Sequence, residues 1–555
     1  MSTDQSARPT TQPDQRILEV VEESFGHTAL LPGQAEALTA LMRGKDVLLI
    51  SPTGSGKSLS YQAAGVLIPG VTIVISPLLA LQEDQIESLV EESRSELQAA
   101  RISSAETASQ REAVLDRAAA GELEFVFLAP EQLANDEVHR RLAEIGPSLV
   151  AVDEAHCVSS WGHDFRPDYF RLGELLEGLH GDGTRPQVVA MTATAALPVR
   201  DDIVDRLRMD DPEVVVTGFE RPNLGLHVDR VTTPDDQRRL VLDLVRERPL
   251  EGGGSGIVYC RTRRAAEEYA AALAELGRAT AVYHAGLSQK RRAGAYDAFM
   301  ADEVEIMVAT SAFGMGIDKP DIRFVVHAQV PESPDTYYQE VGRAGRDGEP
   351  AEGLLVYREE DLALGRFFSG GIPKHAHVEA VLAASGGVPG IAAGPDEEQV
   401  RERTGLGPRQ VGRILNLLEL VSGPGTPTRD SATTVDAALD RAEAHQKLQR
   451  SRVEMMRAYA ETDRCRADFL LGYFGEEVTR RCGVCDNCRS GSAEQAALVT
   501  ADVPFPVQSQ VRHEEFGEGT VTDVEDDRLT VLFEDVGYRT LSTRLVEDND
   551  LLTRV

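Results

Sequence analysis

From about Gln15 to Arg208 the chain alternates stretches of helical period with short apolar runs rich in β-branched residues: Val47–Ile50, Thr72–Ile75, Phe125–Leu128, Leu149–Val152 and Val188–Met191. Continuous apolar runs suit strands buried on both faces, and strands interleaved with helices predict a parallel sheet covered by helices on each side. After Arg221-Pro222-Asn223 the pattern restarts, with Gly256–Tyr259, Thr280–Tyr283, Glu305–Val308, Phe324–His327 and Gly353–Tyr357 as strands. The fold class is therefore α/β, with two parallel-sheet domains in tandem and a ligand cleft expected between them.

Beyond Tyr357 the pattern changes. Residues 370–395 are rich in Gly, Pro and Ala, and Asp396–Thr404 and Pro408–Leu420 predict two helices around the turn Gly405-Leu406-Gly407. The pair suits a helix-turn-helix with Ser422–Thr434 as the wing of a winged helix; it equally suits a helical hairpin that only packs. A long polar helix, about Thr434–Asp463, leads to a cluster of cysteines, and a flexible linker near Ser490–Ala501 precedes the last stretch, Phe505–Val555. There, apolar positions alternate through Val511–Val521, Leu529–Phe533 and Gly537–Leu541 with glycine-bearing turns, which predicts a small antiparallel sheet closed as an SH3- or Tudor-style β-barrel.

With 555 residues the chain exceeds what one hydrophobic core usually spans, so three to five folding units are expected. Its 42% apolar and 27% charged residues are those of an ordinary globular protein, and no run approaches the roughly 18 apolar residues of a membrane span, so no membrane partner is expected. The polar segment Met1–Gln15 lacks the basic start and apolar stretch of a signal peptide and is expected to be a disordered lead-in to a cytoplasmic protein. A net charge of −34 runs against a polyanionic partner, yet binding one needs only a local basic track. Six cysteines without a secretory signal are expected to be free or metal-bound rather than paired.

Four segments carry chemistry. Ser51-Pro-Thr53-Gly54-Ser55-Gly56-Lys57-Ser58 follows a strand and should open a helix, so its backbone N–H groups can wrap phosphates while Lys57 reaches the β/γ-phosphates of ATP and Ser58 a bound Mg2+. The strict loop pattern has Gly where this chain has Ser51. The strand Leu149–Val152 ends in Asp153-Glu154-Ala155-His156, which puts two carboxylates beside that loop: Asp153 to hold Mg2+ through water, Glu154 to orient and deprotonate an attacking water. Gln339-Glu340-Val341-Gly342-Arg343-Ala344-Gly345-Arg346 in the second domain supplies Arg343 and Arg346, cations that can meet charge developing on a transferred phosphoryl across a domain cleft. Finally, Cys465-x16-Cys482-x2-Cys485-x2-Cys488 offers four thiolates, enough for a tetrahedral Zn2+ shell; reduced structural cysteines and an iron–sulfur cluster are the competing uses. Cys157 and Cys260 are expected to be unliganded.

Together these blocks resemble a superfamily 2 helicase of the RecQ family. Supporting blocks are Pro32-Gly33-Gln34, Ser76-Pro77-Leu78, Thr192-Ala193-Thr194, Tyr283-His284-Ala285-Gly286 and Ala312-Phe313-Gly314-Met315-Gly316-Ile317-Asp318-Lys319-Pro320. The most diagnostic is the stretch from Asp153 through Trp161, His163, Phe165 and Arg166 to Pro167, which resembles the family's aromatic-rich loop. The resemblance implies two RecA-like domains (16–215 and 216–365), a zinc subdomain (436–490) and 3′ to 5′ translocation on single-stranded and partly duplex DNA in recombination and repair. It further implies that Gln34 reads the adenine edge, that His27 stacks on the base, that Asp318 joins the nucleotide contacts, and that Trp161, His163, Phe165 and Arg166 couple DNA to hydrolysis. Faces such as Trp161 and Phe165 stack bases at about 1–3 kcal/mol each; the chain's single Trp as a core anchor is the competing expectation.

The chain departs from the family in having Leu30-Leu31 where the family usually has Phe-Arg, and in placing its candidate winged helix (380–435) before the cysteines with no further helical domain after them. The tail, 503–555 beyond a linker at 491–502, resembles the C-terminal Tudor-like domain of PcrA/UvrD-type helicases, which implies a protein partner, RNA polymerase or a repair factor. A bacterial, nucleoid-associated ATP-dependent DNA helicase is thus the expectation. An RNA-dependent ATPase and an ATP-regulated nucleic-acid remodelling module without unwinding stand as its rivals.

Overall fold

A computed structural model of the chain describes residues 14–555 apart from 53, 78, 160–168, 170–171, 180–184, 219–220, 249, 251–252, 315–316, 318, 369–370, 386–396, 423–429, 477–480, 500–504, 506–508, 526–527 and 534–535. The chain forms two compact units. One holds the residues up to His227, Val241–His327 and Asp335–Leu354; the other holds Val228–Leu240, Ala328–Pro334 and Leu355–Val555.

In the first unit, seven strands form one parallel sheet: β1 (Val47–Ile50), β2 (Thr72–Ile75), β3 (Ala99–Ile102), β4 (Phe125–Leu128), β5 (Leu149–Val152), β6 (Gln187–Thr192) and β7 (Glu213–Val216), in the order β3-β4-β2-β5-β6-β1-β7. β1, β2, β4 and β5 are buried along their whole length, as apolar runs without alternation require when helices cover both faces. Register aligns Ile50 with Thr192 and Ile75 with Val152, so the loops after β1, β2, β5 and β6 emerge along one edge, the carboxyl edge where ligands of such sheets bind.

A second sheet contains β8 (Leu224–Arg230), β9 (Ser255–Tyr259), β10 (Thr280–Tyr283), β11 (Ile306–Ala309), β12 (Ile322–His327) and β13 (Ala351–Tyr357), in the order β10-β11-β9-β12-β13-β8. The strand expected at Glu305–Val308 lies one residue later. β3, β7 and β8 are strands additional to those expected, and each sits at the edge of its sheet.

In the second unit, the helices His375–Ala384, Glu397–Thr404 and Pro408–Ser422 share an apolar core, including Val381, Val400, Ile414 and Leu418, with the start of the 31-residue helix Ser431–Glu461. The expected wing at Ser422–Thr434 is in part helical: Ser422 ends one helix and Ser431–Thr434 begins the next, while 423–429 lie outside the described residues.

Two further expectations need correction. The lead-in stops short of Gln15, because Asp14 caps the helix Gln15–Phe25 by accepting from Arg16 N–H (3.1 Å). Most of the supposed linker, 491–502, is the helix Ser492–Val499.

The tail forms a five-stranded antiparallel sheet of β14 (Gln510–His513), β15 (Gly517–Glu525), β16 (Arg528–Phe533), β17 (Gly537–Ser542) and β18 (Leu552–Arg554), ordered β17-β16-β15-β14-β18 around Val511, Val531, Phe533 and Val546. Its edges, β17 and β18, are not paired with each other among the described residues. Nor does it hang free on a tether: Tyr538 stacks on Tyr473 (ring centroids 5.0 Å, 19°), Arg464 donates to Val524 O (3.3 Å), and Gly537 lies against Ser451 and Leu448. No helix among the described residues is long and apolar enough to cross a membrane.

Candidate active site and metal centre

The loop after β1 turns through Gly54 and Gly56, both at positive φ (83° and 68°), before the helix Ser58–Leu67 begins. A side chain at Gly54 would meet Arg346 Cδ at 3.3 Å, and one at Gly56 would meet Gln34 Nε2 at 2.9 Å, so both positions call for glycine on two counts. Ser51, the departure from the strict loop pattern, has a structural use: its hydroxyl accepts from Thr217 Oγ1 (2.6 Å) and donates to Ser55 Oγ (2.5 Å), tying the loop to the end of β7. Lys57 Nζ donates to the loop's own carbonyls, Ser51 O (2.9 Å) and Pro52 O (3.1 Å). Its pKa is lowered by burial, against the pull of Glu154 and Asp153.

The carboxylates stand at the end of β5. Asp153 Oδ1 accepts from Glu154 N–H (2.9 Å) and Oδ2 from Gln85 Nε2 (3.1 Å). Burial first, and Glu154 next, push its pKa up to about 6. Glu154 adopts left-handed backbone (φ 49°, ψ 46°), a conformation costing a non-glycine residue about 1–3 kcal/mol and characteristic of functional turns. Its carboxylate lies 3.3 Å from His156 Nδ1, which also contacts Thr192 Oγ1 (3.0 Å) in the block Thr192-Ala193-Thr194. Burial opposes the imidazolium of His156, but Cys157 and Glu154 outweigh it and its pKa is raised.

The arginines arrive from the loop before β13. Arg221 donates to Gly342 O (3.1 Å), Ala344 O (2.7 Å) and Gly345 O (2.9 Å), and Asn223 Nδ2 to Gly345 O (2.8 Å) and Glu349 O (2.9 Å). Arg343 is buried, and Arg346 donates to Ile317 O (2.6 Å) while lying over Gly54. Lys57, Ser58, Asp153, Glu154, Arg343, Arg346, Gly54, Gly56 and His27 thereby line one cavity of about 450 Å³.

Gln34 stands beside the cavity rather than in its lining. Its amide donates to Gly56 O (2.9 Å) and Ser55 O (3.3 Å) and its Oε1 accepts from Leu31 N–H (2.8 Å). Thr53, Asp318 and the whole of Trp161, His163, Phe165 and Arg166 lie outside the described residues. The sequence singled out neither Gln85 nor Thr217, and read Arg221 and Asn223 only as a domain boundary; an isolated polar residue on a helix or at a strand end carries no local signal.

The four cysteines converge: their sulfurs all lie within 4.8 Å of one another, Cys465 and Cys482 3.4 Å apart and Cys482 and Cys488 4.0 Å. Tetrahedral coordination at 2.3 Å Zn–S distances needs sulfurs about 3.8 Å apart, so the set fits Zn2+. Backbone N–H groups of Cys482 and Cys488 point at Cys465 Sγ and Cys485 Sγ (3.4 Å each), an arrangement that favours thiolate. Behind them, Arg466 pairs with Asp486 (2.6 Å), and Asn487 donates to Thr462 O (2.8 Å) and Arg464 O (2.7 Å). Cys157 and Cys260 are buried, and neither belongs to this cluster.

Residues 31–203 match the DEAD/DEAH box helicase family, 237–348 the helicase conserved C-terminal domain and 429–489 the RecQ zinc-binding family. The ATP-dependent DNA helicase RecQ of Bacillus subtilis is 33% identical over 511 residues, 92% of this chain and 73% of that protein. That of Pasteurella multocida is 39% identical over 350 residues, 63% of this chain but only 53% of the relative, so the match spans about half of that protein's length. Among solved structures, the DUF1998 helicase MrfA bound to DNA has a like fold, with a TM-score of 0.53 at 19% identity, covering 63% of this chain and 52% of the other.

Proposed function

The chain belongs to the RecQ family of helicases, and we propose that it is an ATP-dependent DNA helicase that translocates 3′ to 5′ on single-stranded DNA in recombination and repair, a cytoplasmic enzyme acting at the nucleoid. The observation that carries this reading is the 450 Å³ cavity, where a phosphate loop and two carboxylates of one sheet face two arginines of the other. ATP supplies the transferable phosphoryl and Mg2+ the charge that steadies it. On binding, Lys57 exchanges the carbonyls of Ser51 and Pro52 for phosphate oxygens, Ser58 and Asp153 face the cation, and Glu154 takes a proton from the attacking water. Arg343 and Arg346 meet charge developing on the phosphoryl, so turnover depends on how their loop, braced by Arg221 and Asn223, stands over Gly54. His27 and Gln34 hold the base, Gln34 after releasing Ser55 and Gly56, and Thr53 and Asp318 complete the nucleotide contacts. Trp161, His163, Phe165 and Arg166 follow directly on the carboxylates and would report bound DNA to them. Cys465, Cys482, Cys485 and Cys488 hold Zn2+ and fix the region around them. The tail sheet, 503–555, is the surface proposed for a protein partner such as RNA polymerase or a repair factor, and a pull-down with and without it tests that part.

The decisive experiment is strand displacement on a partly duplex DNA, alongside ATP hydrolysis stimulated by DNA or RNA oligomers. ATP-dependent displacement with DNA-stimulated turnover is expected. Hydrolysis stimulated only by RNA, or by DNA without any displacement, would overturn the helicase reading in favour of an RNA-dependent ATPase or a remodelling module.

A further inference from the structure

The second compact unit contains a cavity of about 420 Å³ far from both sites in sequence, between the helices His375–Ala384 and Pro408–Ser422. Its charged and polar lining is Lys374, His377, Arg409, Gln410 and Arg413, and no lining residue carries a carboxylate. In a chain with 91 acidic residues against 57 basic ones, a concave surface of one sign is not a default outcome. Lys374, Arg409 and Arg413 form no ion pair among the described residues, although nearby His375 does pair with Glu379 (3.5 Å) and Asp436 (3.6 Å). Lys374 and Arg409 stand exposed at the rim and Arg413 is half-buried within. Gln410 Nε2 donates to His377 Nδ1 (2.6 Å), which fixes the ring with Nε2 as an N–H donor. Arg409 and Gln410 occupy the first turn of Pro408–Ser422, where the positive end of the helix dipole adds to the potential at the same place.

From this cavity we infer a second nucleic-acid contact: Lys374, Arg409 and Arg413, with the N–H groups of His377 and Gln410, grip adjacent backbone phosphates of DNA. The inference rests on the helicase reading, and it places a DNA contact in the helical segment before the cysteines. A phosphodiester is the ligand chemistry the lining selects, because its charged side chains are all cations, none is a carboxylate, and the arginines can bind two oxygens each. Nucleic acid is favoured over a free anion by the setting. Pro408–Ser422 is the second helix of a pair joined by Gly405-Leu406-Gly407, and its N-terminal end, with Arg409 exposed, is the part such a pair offers to a duplex. Contacts of this kind position a protein without reading sequence.

The test is fluorescence anisotropy of the full chain on partly duplex DNA between 50 and 200 mM salt, comparing wild type with the Arg409→Ala/Arg413→Ala double variant and with Arg409→Gln alone. Each phosphate that the protein no longer neutralises should lower the slope of log affinity against log salt by about 1, so the double variant should be shallower by roughly 1–2 and bind more weakly at low salt. Zinc content, thermal midpoint and DNA-free ATP hydrolysis should match wild type; if the double variant misfolds, the exposed Arg409→Gln change carries the test, with a slope shallower by about 1. Equal slopes and affinities would overturn the inference. So would calorimetry showing that inorganic phosphate binds wild type but not the variant while DNA binding is unchanged, which would mark a small-anion pocket. A wild type that neither binds DNA nor hydrolyses ATP faster with it would sink the helicase reading instead, and this inference with it.

Discussion

His445 gives the chain a calculable acid sensitivity. It sits on the helix Ser431–Glu461, where burial first, and then Arg452, Arg413 and Arg441, lower its pKa from 6.5 to about 4. Gln449 Nε2 approaches its Nε2 at 3.4 Å, as suits a neutral ring that accepts there. Between pH 6.5 and 4 the unfolded chain binds a proton that the folded chain refuses, so stability falls as pH falls through that window and is unaffected by this group above it. At 1.36 kcal/mol per pKa unit, a displacement of about 2.5 units corresponds to about 3 kcal/mol, reduced toward ~2 because the residue is not fully buried. Many carboxylates also titrate below pH 5, so the informative quantity is a difference between proteins. Denaturant unfolding of the C-terminal unit should show His445→Gln gaining about 2–3 kcal/mol on wild type as pH drops from 7 to 4, and NMR of labelled histidines should find one imidazole titrating near 4. A pH-independent difference between the two proteins, or a His445 pKa at or above 6.5, would refute the reasoning.

Glu154→Gln should hydrolyse ATP about 10²–10⁴-fold more slowly while still binding it, because only the base is lost, whereas Lys57→Ala should lose both; turnover near wild type in the Glu154 variant would remove it from catalysis. Trp161→Ala or Arg166→Ala should keep basal hydrolysis and lose most of its stimulation by single-stranded DNA, and equal stimulation would disprove the coupling role. One Zn2+ per chain is expected by metal analysis, and Cys485→Ser should destabilise the region from Ser431 onward; iron, or no stoichiometric metal, would contradict it. Tyr538→Ala should lower the unfolding free energy of the C-terminal unit by about 3 kcal/mol, since it empties a buried aromatic site against Tyr473, and an unchanged denaturant midpoint would show that the docking is energetically idle.

What the sequence made legible follows from where each element lies. β1, β2, β4 and β5 are buried throughout, so their apolar runs announce them. β3 is Ala-Ala-Arg-Ile with three of its four residues only partly buried, and the first two residues of β7 are exposed, so neither needs such a run. β8 did carry a signal, the alternation Leu224, Leu226, Val228, interrupted by Gly225 and His227. The chemistry was legible in the same local way, because the phosphate loop, the paired carboxylates and the last three cysteines each gather their donors within a few residues. Their supports are not local. Gln85 reaches Asp153 across 68 positions and Thr217 reaches Ser51 across 166, and each is one polar residue whose neighbours say nothing of its partner.

The tail carries the same point into packing. Alternation along β15 to β17 is enough to predict a sheet, because it encodes which face of each strand is dry. It cannot encode which dry face belongs to the sheet's own core and which to a neighbour's. Val531 and Phe533 close the tail's core, whereas Tyr538, equally buried by pattern, spends its ring on Tyr473. Tyr473 ends a helix that begins next to Cys465, so the ring stack joins the sheet to the segment bearing the first cysteine. A mutation in the tail therefore acts on the metal centre's surroundings through that stack, and loss of a partner in a tail-deleted chain is evidence for recruitment only when the zinc content of the remainder is unchanged.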